Sequence, residues 1–191
     1  MAISSMSTAE SRLASKGVAV VVMGVSGAGK TTVGTRLAEA LDGVFIDGDD
    51  LHTEAARSKM GSGQALSDED RWPWLDRIGA VLADGLRAKG RIVVACSALR
   101  RIYRDRVREL AGADLRFVYL SAEPEAMRRR VGGRTGHYMP ATLVASQFAA
   151  LEPPQDEPDV VEVSAEADLE TIIPQLVARL GAATMRKGPD I

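Results

Sequence analysis

The residues with the clearest chemistry in this chain form a glycine-rich loop at positions 24–31. Their sequence, Gly-Val-Ser-Gly-Ala-Gly-Lys-Thr, places glycines, Lys30 and Thr31 at the spacing of a phosphate-binding loop. Glycines allow a tight turn in which successive backbone N–H groups point at an oxyanion near a helix N-terminus. In such loops the lysine reaches the β- and γ-phosphates, and the hydroxyl residue binds Mg²⁺. The sequence therefore predicts nucleotide binding, with Mg²⁺ at Thr31.

Two carboxylates, Asp47 and Asp49, follow the apolar run 44–46. Open α/β sheets bind ligands beyond the carboxyl ends of their strands, which is where these side chains would lie. Aspartate and glycine also suit ordinary turns, so Asp-Gly-Asp alone would favour a turn. The apolar run before it and the phosphate-binding loop favour a functional site instead.

The segments that would carry these residues alternate between strands and helices. Continuous apolar runs predict strands at 18–23, 44–46 and 92–96, the last of them buried on both faces, and mainly apolar segments predict two more strands at 115–120 and 159–163. Helical spacing of apolar residues, with start and stop signals, predicts helices at 30–41, 67–90, 99–110, from about 123, at 140–151 and at 169–180. This alternation predicts a parallel sheet with right-handed crossovers.

The composition predicts one domain with a single core, since 46% of the 191 residues are hydrophobic and 26% are charged. We expect this domain at 17–181, between flexible tails at 1–16 and 182–191. Within it, the segment 131–139 has glycines on both sides of an arginine and interrupts the helical pattern. We expect that segment to be a mobile lid.

Charge and cysteine content limit the classes of partner. A net charge of -2 and a pI near 5.8 argue against general binding of nucleic acid or of a membrane surface. The apolar runs are too short to span a bilayer, and residues 1–16 lack the apolar run of a signal peptide. Cys96 is the only cysteine, so no internal disulfide forms, and no Cys/His cluster indicates zinc. These features predict a cytoplasmic enzyme acting on small molecules.

Further strings in the sequence carry a resemblance to a known family. They occupy 23–31, 47–52, 59–60, 63–71, 74–75, 96–100, 103–105, 136–139 and 146–148. Together they closely resemble the gluconokinases, small P-loop kinases that phosphorylate D-gluconate at its 6-hydroxyl. The run 66–75 and the segment Cys96-Ser97-Ala98-Leu99 separate this family from the similar shikimate kinases. The resemblance covers about 18–180.

The resemblance implies an α/β fold of the P-loop, nucleoside-monophosphate-kinase-like type, with three layers, a five-stranded parallel sheet and a lid. It implies ATP and Mg²⁺ as cofactors, D-gluconate as the substrate and a possible homodimer. Lys30, Asp49 and Arg134 are the expected catalytic residues. Asp49 would orient the 6-hydroxyl, and Asp47 would support Mg²⁺ through water together with Thr31. The expected ATP contacts are Gly24, Val25, Ser26, Gly27, Ala28, Gly29, Lys30, Thr31, Thr32, Arg130 and Arg134.

Gluconate needs cations for its carboxylate and neutral groups for its hydroxyls. The cations near the site are Lys59, Arg71, Arg100 and Arg104. Arginine can bind a carboxylate through two parallel hydrogen bonds, which favours Arg71 or Arg100 for that end. The groups expected to bind hydroxyls are His52, Ser97, His137 and Gln147. With Asp49, Lys59, Arg71 and Arg100, these form the predicted acceptor site.

Several alternatives remain open. Arg104 could instead pair locally with Asp105 or Asp70. Trp72 and Trp74 are expected to pack the start of a helix against the core, without a chemical role. For the whole protein, a shikimate-kinase-like enzyme acting on another hydroxy acid is the first alternative, and a P-loop ATPase regulator is the second.

Overall fold

The computed structural model describes residues 17–112, 114–132 and 141–183. A five-stranded, wholly parallel sheet lies at its centre, with strand order β2-β3-β1-β4-β5. The strands are β1 Val18–Met23, β2 Val44–Asp47, β3 Arg91–Ala95, β4 Leu115–Ser121 and β5 Val160–Ser164. The predicted fold class is confirmed, and each predicted strand lies within one residue of its observed bounds.

Seven α-helices occur within the described residues, with a short 3₁₀ helix at Gly48–Leu51. They are α1 Lys30–Ala40, α2 Glu54–Gly61, α3 Asp68–Lys89, α4 Arg101–Ala111, α5 Pro124–Gly132, α6 Ala141–Ala150 and α7 Leu169–Ala183. None of these helices combines the length and the apolar character needed to cross a membrane. The first two residues of the predicted lid belong to α5, and the rest of it lies outside the described residues.

The sequence pattern did not predict α2. This helix has eight residues, and Ala56 is the buried one among them. With only Ala56 buried, the helix has no wide apolar stripe, so the apolar periodicity that identifies longer helices is missing. The helix begins instead at a local cap, where the Thr53 hydroxyl accepts a hydrogen bond from the Ala56 N–H at 3.0 Å.

The central strand β1 divides the core into two layers, because its successive side chains point to opposite faces of the sheet. Val18, Val20 and Val22 pack on one side with residues of α1 and α7. Ala19, Val21 and Met23 pack on the other side with residues of α3 and α4. All six side chains of β1 are 0% exposed, which explains its continuous apolar sequence.

Arg104 of α4 connects this helix to the segment before β5. Its side chain is 1% exposed, and Nε donates to both carboxylate oxygens of Glu157 at 3.1 and 2.9 Å. Nη1 donates to the carbonyls of Ala98 and Leu99, and Nη2 donates to the carbonyl of Glu152 at 3.0 Å. All three guanidinium nitrogens of Arg104 are therefore hydrogen-bonded within the fold, and the side chain is not available to a substrate. Both sequence interpretations of Arg104, as a substrate cation or as a partner of a nearby aspartate, are wrong.

Glu157 is held by two arginines and is itself buried. Burial alone would raise its pKa, but hydrogen bonds from Arg104 and Arg108 outweigh burial and lower the pKa of Glu157 to about 2. The carboxylate is thus ionised at neutral pH, and its charge is balanced within the fold. This network also holds the loop after β3 in place, because Arg104 binds the carbonyls of Ala98 and Leu99.

We predict that Glu157→Gln lowers the free energy of unfolding by about 3 to 5 kcal/mol at pH 7, because it leaves buried guanidinium groups without a counter-charge. Urea denaturation measures this change. In the wild type the contribution is present above the usual pKa of 4.5 and is lost as the pH falls toward about 2. The variant should lack that acid-dependent loss.

Asp84→Asn is the matched control, since Asp84 pairs with Arg87 on the surface, where the two side chains are 70% and 71% exposed. Its unfolding curve should overlay that of the wild type. Equal, small effects of the two substitutions would contradict the structural role of Glu157.

Candidate active site

The phosphate-binding loop connects β1 to α1 as the sequence predicts. Gly27 and Gly29 have φ angles of 85° and 91°, which side chains rarely adopt. A Cβ on Gly24 would lie 2.9 Å from the carbonyl oxygen of Leu120, so this position also requires glycine. Gly29 is the N-cap of α1, and the loop therefore ends at the positive end of a helix.

Lys30, Thr31 and Thr32 form the first turn of α1. The Lys30 ammonium donates to the carbonyl oxygen of Val25 at 3.1 Å, and so lies across the loop. The Thr31 hydroxyl donates to a carboxylate oxygen of Asp47 at 2.9 Å. Hydroxyl and carboxylate oxygens are ligands that Mg²⁺ prefers, so these two residues fit the metal. In the described ranges no group of three or more His, Cys, Asp or Glu side chains is arranged to hold a metal.

Asp47 uses its second oxygen to start the 3₁₀ helix that carries Asp49. This oxygen accepts a hydrogen bond from the Asp49 backbone N–H at 3.1 Å. Asp-Gly-Asp is therefore a tight turn and part of the site at once. The Asp49 side chain is exposed at the carboxyl end of β2.

The ends of three neighbouring strands meet at this edge. The backbone N–H of Gly24 donates to the carbonyl oxygen of Ser97, at 3.3 Å, and so joins the loops after β1 and β3. Burial raises the pKa of the Cys96 thiol to about 12, and the charges of Lys30, Asp47 and Asp49 all act on it. All three charged groups are therefore close enough to the end of β3 to act on this thiol.

Trp74 positions the 3₁₀ helix from below. Its indole N–H donates to the carbonyl oxygen of Gly48 at 2.6 Å, and its ring stacks on the His52 ring with centroids 4.3 Å apart. A Cβ on Gly48 would lie 2.3 Å from the carbonyl oxygen of Ala95, so only glycine allows this approach. The sequence analysis assigned Trp74 to packing alone, and the structure adds this hydrogen bond and stack.

His52 is 5% exposed, and its Nδ1 is buried without a hydrogen-bond partner among the described residues. Burial lowers the pKa of His52 below 6.5, and the charges of Arg57 and Arg71 act in the same direction. The carboxylate of Asp49 opposes this shift. A neutral imidazole has one donor and one acceptor nitrogen. It therefore suits a hydroxyl group, which also donates and accepts, better than it suits a carboxylate.

Three of the predicted cations, namely Lys59, Arg71 and Arg100, are paired with carboxylates in the first turn of α3. Lys59 lies 2.5 Å from Asp70, and this hydrogen bond, with that from the Ser67 N–H, lowers the pKa of Asp70 to about 2. Ser67 and Asp70 also form a capping box at the start of the helix. The same turn therefore caps α3 and holds a cation.

Arg71 and Arg100 share one carboxylate, that of Asp68. Nη1 of Arg100 lies 2.5 Å from one oxygen, and Nη1 of Arg71 lies 3.4 Å from the other. The Tyr103 hydroxyl donates to the latter oxygen at 2.5 Å, and more than any other contact it lowers the pKa of Asp68. The two arginines favoured from sequence are thus brought together.

Gln147 of α6 lies at the phosphate-binding loop. Its Oε1 accepts a hydrogen bond from the Ser26 backbone N–H at 2.6 Å. This contact joins residues 121 positions apart and ties α6 to the loop. The sequence analysis expected Gln147 to bind substrate hydroxyls, and the structure gives it a position beside the nucleotide-binding residues.

Arg130 of α5 donates to the carbonyl oxygen of Ala165, which follows β5, at 2.9 Å. These two residues therefore lie together beside the carboxyl end of β5. Arg134 and His137 lie outside the described residues.

Sequence reasoning missed Asp68, Tyr103 and the polar role of Trp74. Asp68 lay in the matched string 63–71 without a role of its own. Tyr103 lay in a matched string without a role. The contacts that reveal them join residues 26 to 35 positions apart, so local sequence patterns gave no signal.

A parallel sheet whose first strand leads through a glycine loop into a helix, with carboxylates at the neighbouring strand end, defines a P-loop protein of the kinase type. A sequence family described as an AAA domain matches residues 20–154.

Relatives give the particular family. The thermosensitive gluconokinase of Escherichia coli K12 is 40% identical over 160 residues, or 83% of this chain and 85% of that protein. The gluconokinase of Gluconobacter oxydans 621H is 41% identical over 179 residues, or 93% and 99% of the two chains. The crystal structure of a gluconokinase from Sinorhizobium meliloti 1021 has a TM-score of 0.77 and 42% identity, covering 87% of this chain and 93% of that one. This protein therefore belongs to the gluconokinase family.

We predict that the stacked His52 and Trp74 rings give a fluorescence signal that depends on pH. Protonation would place a cation against the indole ring and change its emission. Because the pKa of His52 is lowered, the change should be centred below pH 6.5. Tryptophan emission between pH 8 and pH 5, with circular dichroism to verify folding, measures it.

Two variants assign this signal. Trp72→Phe should keep the transition, and His52→Gln should remove it. A midpoint at or above pH 6.5, or a transition that persists in His52→Gln, would contradict the buried, stacked environment of His52.

Proposed function

We propose that this protein transfers the γ-phosphoryl group of ATP to the 6-hydroxyl of D-gluconate, giving ADP and 6-phospho-D-gluconate. The observation that carries the proposal is the 41% identity to the Gluconobacter oxydans gluconokinase over 93% of this chain. Identity at this level along nearly the whole chain supports a shared reaction, whereas a shared fold alone would not.

The phosphate-binding loop is the donor half of the proposed site. Backbone N–H groups of residues 24–32 and the Lys30 ammonium would bind the phosphates, and Thr31 and Asp47 would hold Mg²⁺, with Asp47 acting through water. When bound, Mg²⁺ neutralises charge on the phosphate oxygens. Arg130 would lie at the adenine, and Arg134 would add a positive charge at the transferred group. The short Thr31 to Asp47 contact supports the metal assignment.

Asp49 is the proposed acceptor-side carboxylate. The reaction forms a bond between the 6-oxygen and phosphorus and breaks the bond between phosphorus and the β–γ bridging oxygen. The hydroxyl proton must leave, and because a sugar hydroxyl has a very high pKa, a carboxylate must orient it and accept the proton late. Two observations support this role: the Asp49 side chain is exposed, and its backbone N–H is hydrogen-bonded to Asp47, which also contacts Thr31 at the end of the phosphate-binding loop.

The acceptor pocket is proposed to combine cations with neutral groups. Arg71 and Arg100 would bind the carboxylate of gluconate, with Lys59 nearby. The neutral groups proposed for its hydroxyls are His52, Ser97, His137 and Gln147. Nδ1 of His52 is buried and has no partner among the described residues, which supports its inclusion, because such an atom is costly unless a ligand completes it.

The proposal also includes a cytoplasmic location, where ATP is abundant, a possible homodimer, and no nucleic-acid or membrane partner. The net charge of -2 supports the last point.

The direct test is a coupled assay of ADP release by the purified protein with MgATP and a panel of sugar acids that includes D-gluconate and shikimate. We expect release that depends on gluconate, and a product phosphorylated at the 6-oxygen by ³¹P and ¹³C NMR. Release that depends on shikimate would favour the shikimate-kinase-like alternative. Slow hydrolysis that no acceptor changes would favour an ATPase regulator.

We predict that Asp49→Asn lowers kcat by about 10²- to 10⁴-fold, because the variant cannot accept the hydroxyl proton. The affinity for MgATP, measured by calorimetry, should stay near the wild-type value.

Asp50→Asn is the matched control, since Asp50 is the next residue of the same 3₁₀ helix and is also exposed. It should keep kcat within about threefold of the wild type. Unchanged turnover in Asp49→Asn, or equal losses in both variants, would remove the proposed role of Asp49.

A further inference from the structure

The Asp68 carboxylate lies at the centre of a cluster of side chains and has no role of its own in the proposed reaction. It accepts hydrogen bonds from three of them, namely Arg71, Arg100 and Tyr103. The cluster joins the first turn of α3 to the first turn of α4 and the residue before it. Asp68 lies within hydrogen-bonding distance of both arginines proposed to bind the substrate carboxylate.

The position of Asp68 has no explanation in helix capping. The capping box of α3 uses Ser67 and Asp70, and both of its hydrogen bonds form without Asp68. An acidic residue in the first turn interacts favourably with the helix dipole, but this requires no particular side-chain partner. The three directed contacts of Asp68 therefore indicate a role toward the arginines.

The Tyr103 ring supports both arginines from one surface. The guanidinium carbons of Arg71 and Arg100 lie 5.6 and 5.4 Å from the ring centroid. Trp72 packs edge-on against the same ring, with centroids 5.7 Å apart at 76°. Tyr103 is 5% exposed, so the ring is a rigid support for the two cations.

The contacts within the cluster do not use all the N–H donors of the two arginines. Arg71 contacts Asp68 and Tyr103 through Nη1 alone, so within the described residues its Nε and Nη2 groups remain for a ligand. Arg100 uses Nη1 for Asp68, and its Nε approaches Glu152 at 3.6 Å. A guanidinium with one nitrogen fixed can still present two parallel N–H groups to a second carboxylate.

We propose that Asp68 and Tyr103 are positioning residues that orient Arg71 and Arg100 for the carboxylate of the acceptor, and so determine its preference for a sugar acid over an uncharged analogue. This inference rests on the proposed function. The two residues act through the arginines and do not touch the reacting atoms. Long arginine side chains held in place before binding lose less conformational entropy when the substrate arrives.

The test compares D-gluconate with D-gluconamide, an uncharged analogue that keeps all five hydroxyls. In Asp68→Asn we expect KM for gluconate to rise about 10- to 100-fold, as displaced binding groups commonly cause. The kcat value and KM for ATP should stay within about threefold. The ratio of kcat/KM for the acid to that for the amide should fall at least about tenfold.

Tyr103→Phe provides the second variant, because it removes the hydroxyl and keeps the ring. It should shift the same ratio in the same direction, by a smaller factor. It also keeps the proposal testable if Asp68→Asn does not fold.

Asp76→Asn is the matched control. Asp76 lies on the same helix and pairs with Arg106 of α4 at 2.7 Å, so it makes an equivalent bridge between α3 and α4 away from the proposed site. The ratio in this variant should equal the wild-type ratio.

Three outcomes would overturn the inference while the wild type phosphorylates gluconate. They are an unchanged ratio in Asp68→Asn and Tyr103→Phe, an equal loss of activity with both substrates, and a lower KM for gluconate in Asp68→Asn. The last would mean that Asp68 competes with the substrate for the arginines. A wild type without gluconate-dependent turnover would instead overturn the proposed function, so the two failures are distinguishable.

Discussion

The arrangement of the site depends on the two hydrogen bonds that the Asp47 carboxylate accepts. One of its oxygens accepts from the Thr31 hydroxyl on α1, and the other accepts from the Asp49 N–H at the start of the 3₁₀ helix. A single side chain therefore fixes the end of the phosphate-binding loop relative to the proposed acceptor carboxylate. The geometry follows from the sheet, since β3 lies between β1 and β2 and brings their carboxyl ends to one edge.

The cations of the proposed acceptor site also depend on a few carboxylates. Lys59, Arg71 and Arg100 come from three different segments, yet each meets a carboxylate of the first turn of α3. Buried or half-buried cations need such partners, and the partners also restrict their side-chain rotamers. The cost is that each cation is already engaged, so an anionic ligand must add to these contacts. Guanidinium groups allow this because they have more donors than one carboxylate can accept, which gives arginine an advantage over lysine here.

The sequence predicted those parts of the molecule whose signals are local. Segments of mainly apolar residues identified all five strands, and glycine spacing identified the phosphate-binding loop, because both patterns lie within a few residues. The helix α2 lacked an apolar stripe and was missed. Arg104 was misassigned because its partner Glu157 is 53 residues away, and burial of an arginine depends on such a distant partner. The contacts of Asp68 and Trp74 were missed for the same reason. Each residue has an ordinary local explanation, at a helix start or in the core, and only the tertiary structure reveals its hydrogen bonds to distant residues.

Cys96 gives the protein a native reporter of opening at the site. It is the chain's only thiol, it is 1% exposed, and it directly follows β3, where the charges of Lys30, Asp47 and Asp49 act on it. Burial raises the pKa of this thiol to about 12, so in the closed structure almost no reactive thiolate forms, and the thiol reacts only when the strand end separates from its neighbours and water reaches it. The rate of thiol labelling therefore measures how often this edge of the sheet opens. Opening of the site can therefore be followed by the labelling rate of a native thiol, without an engineered probe.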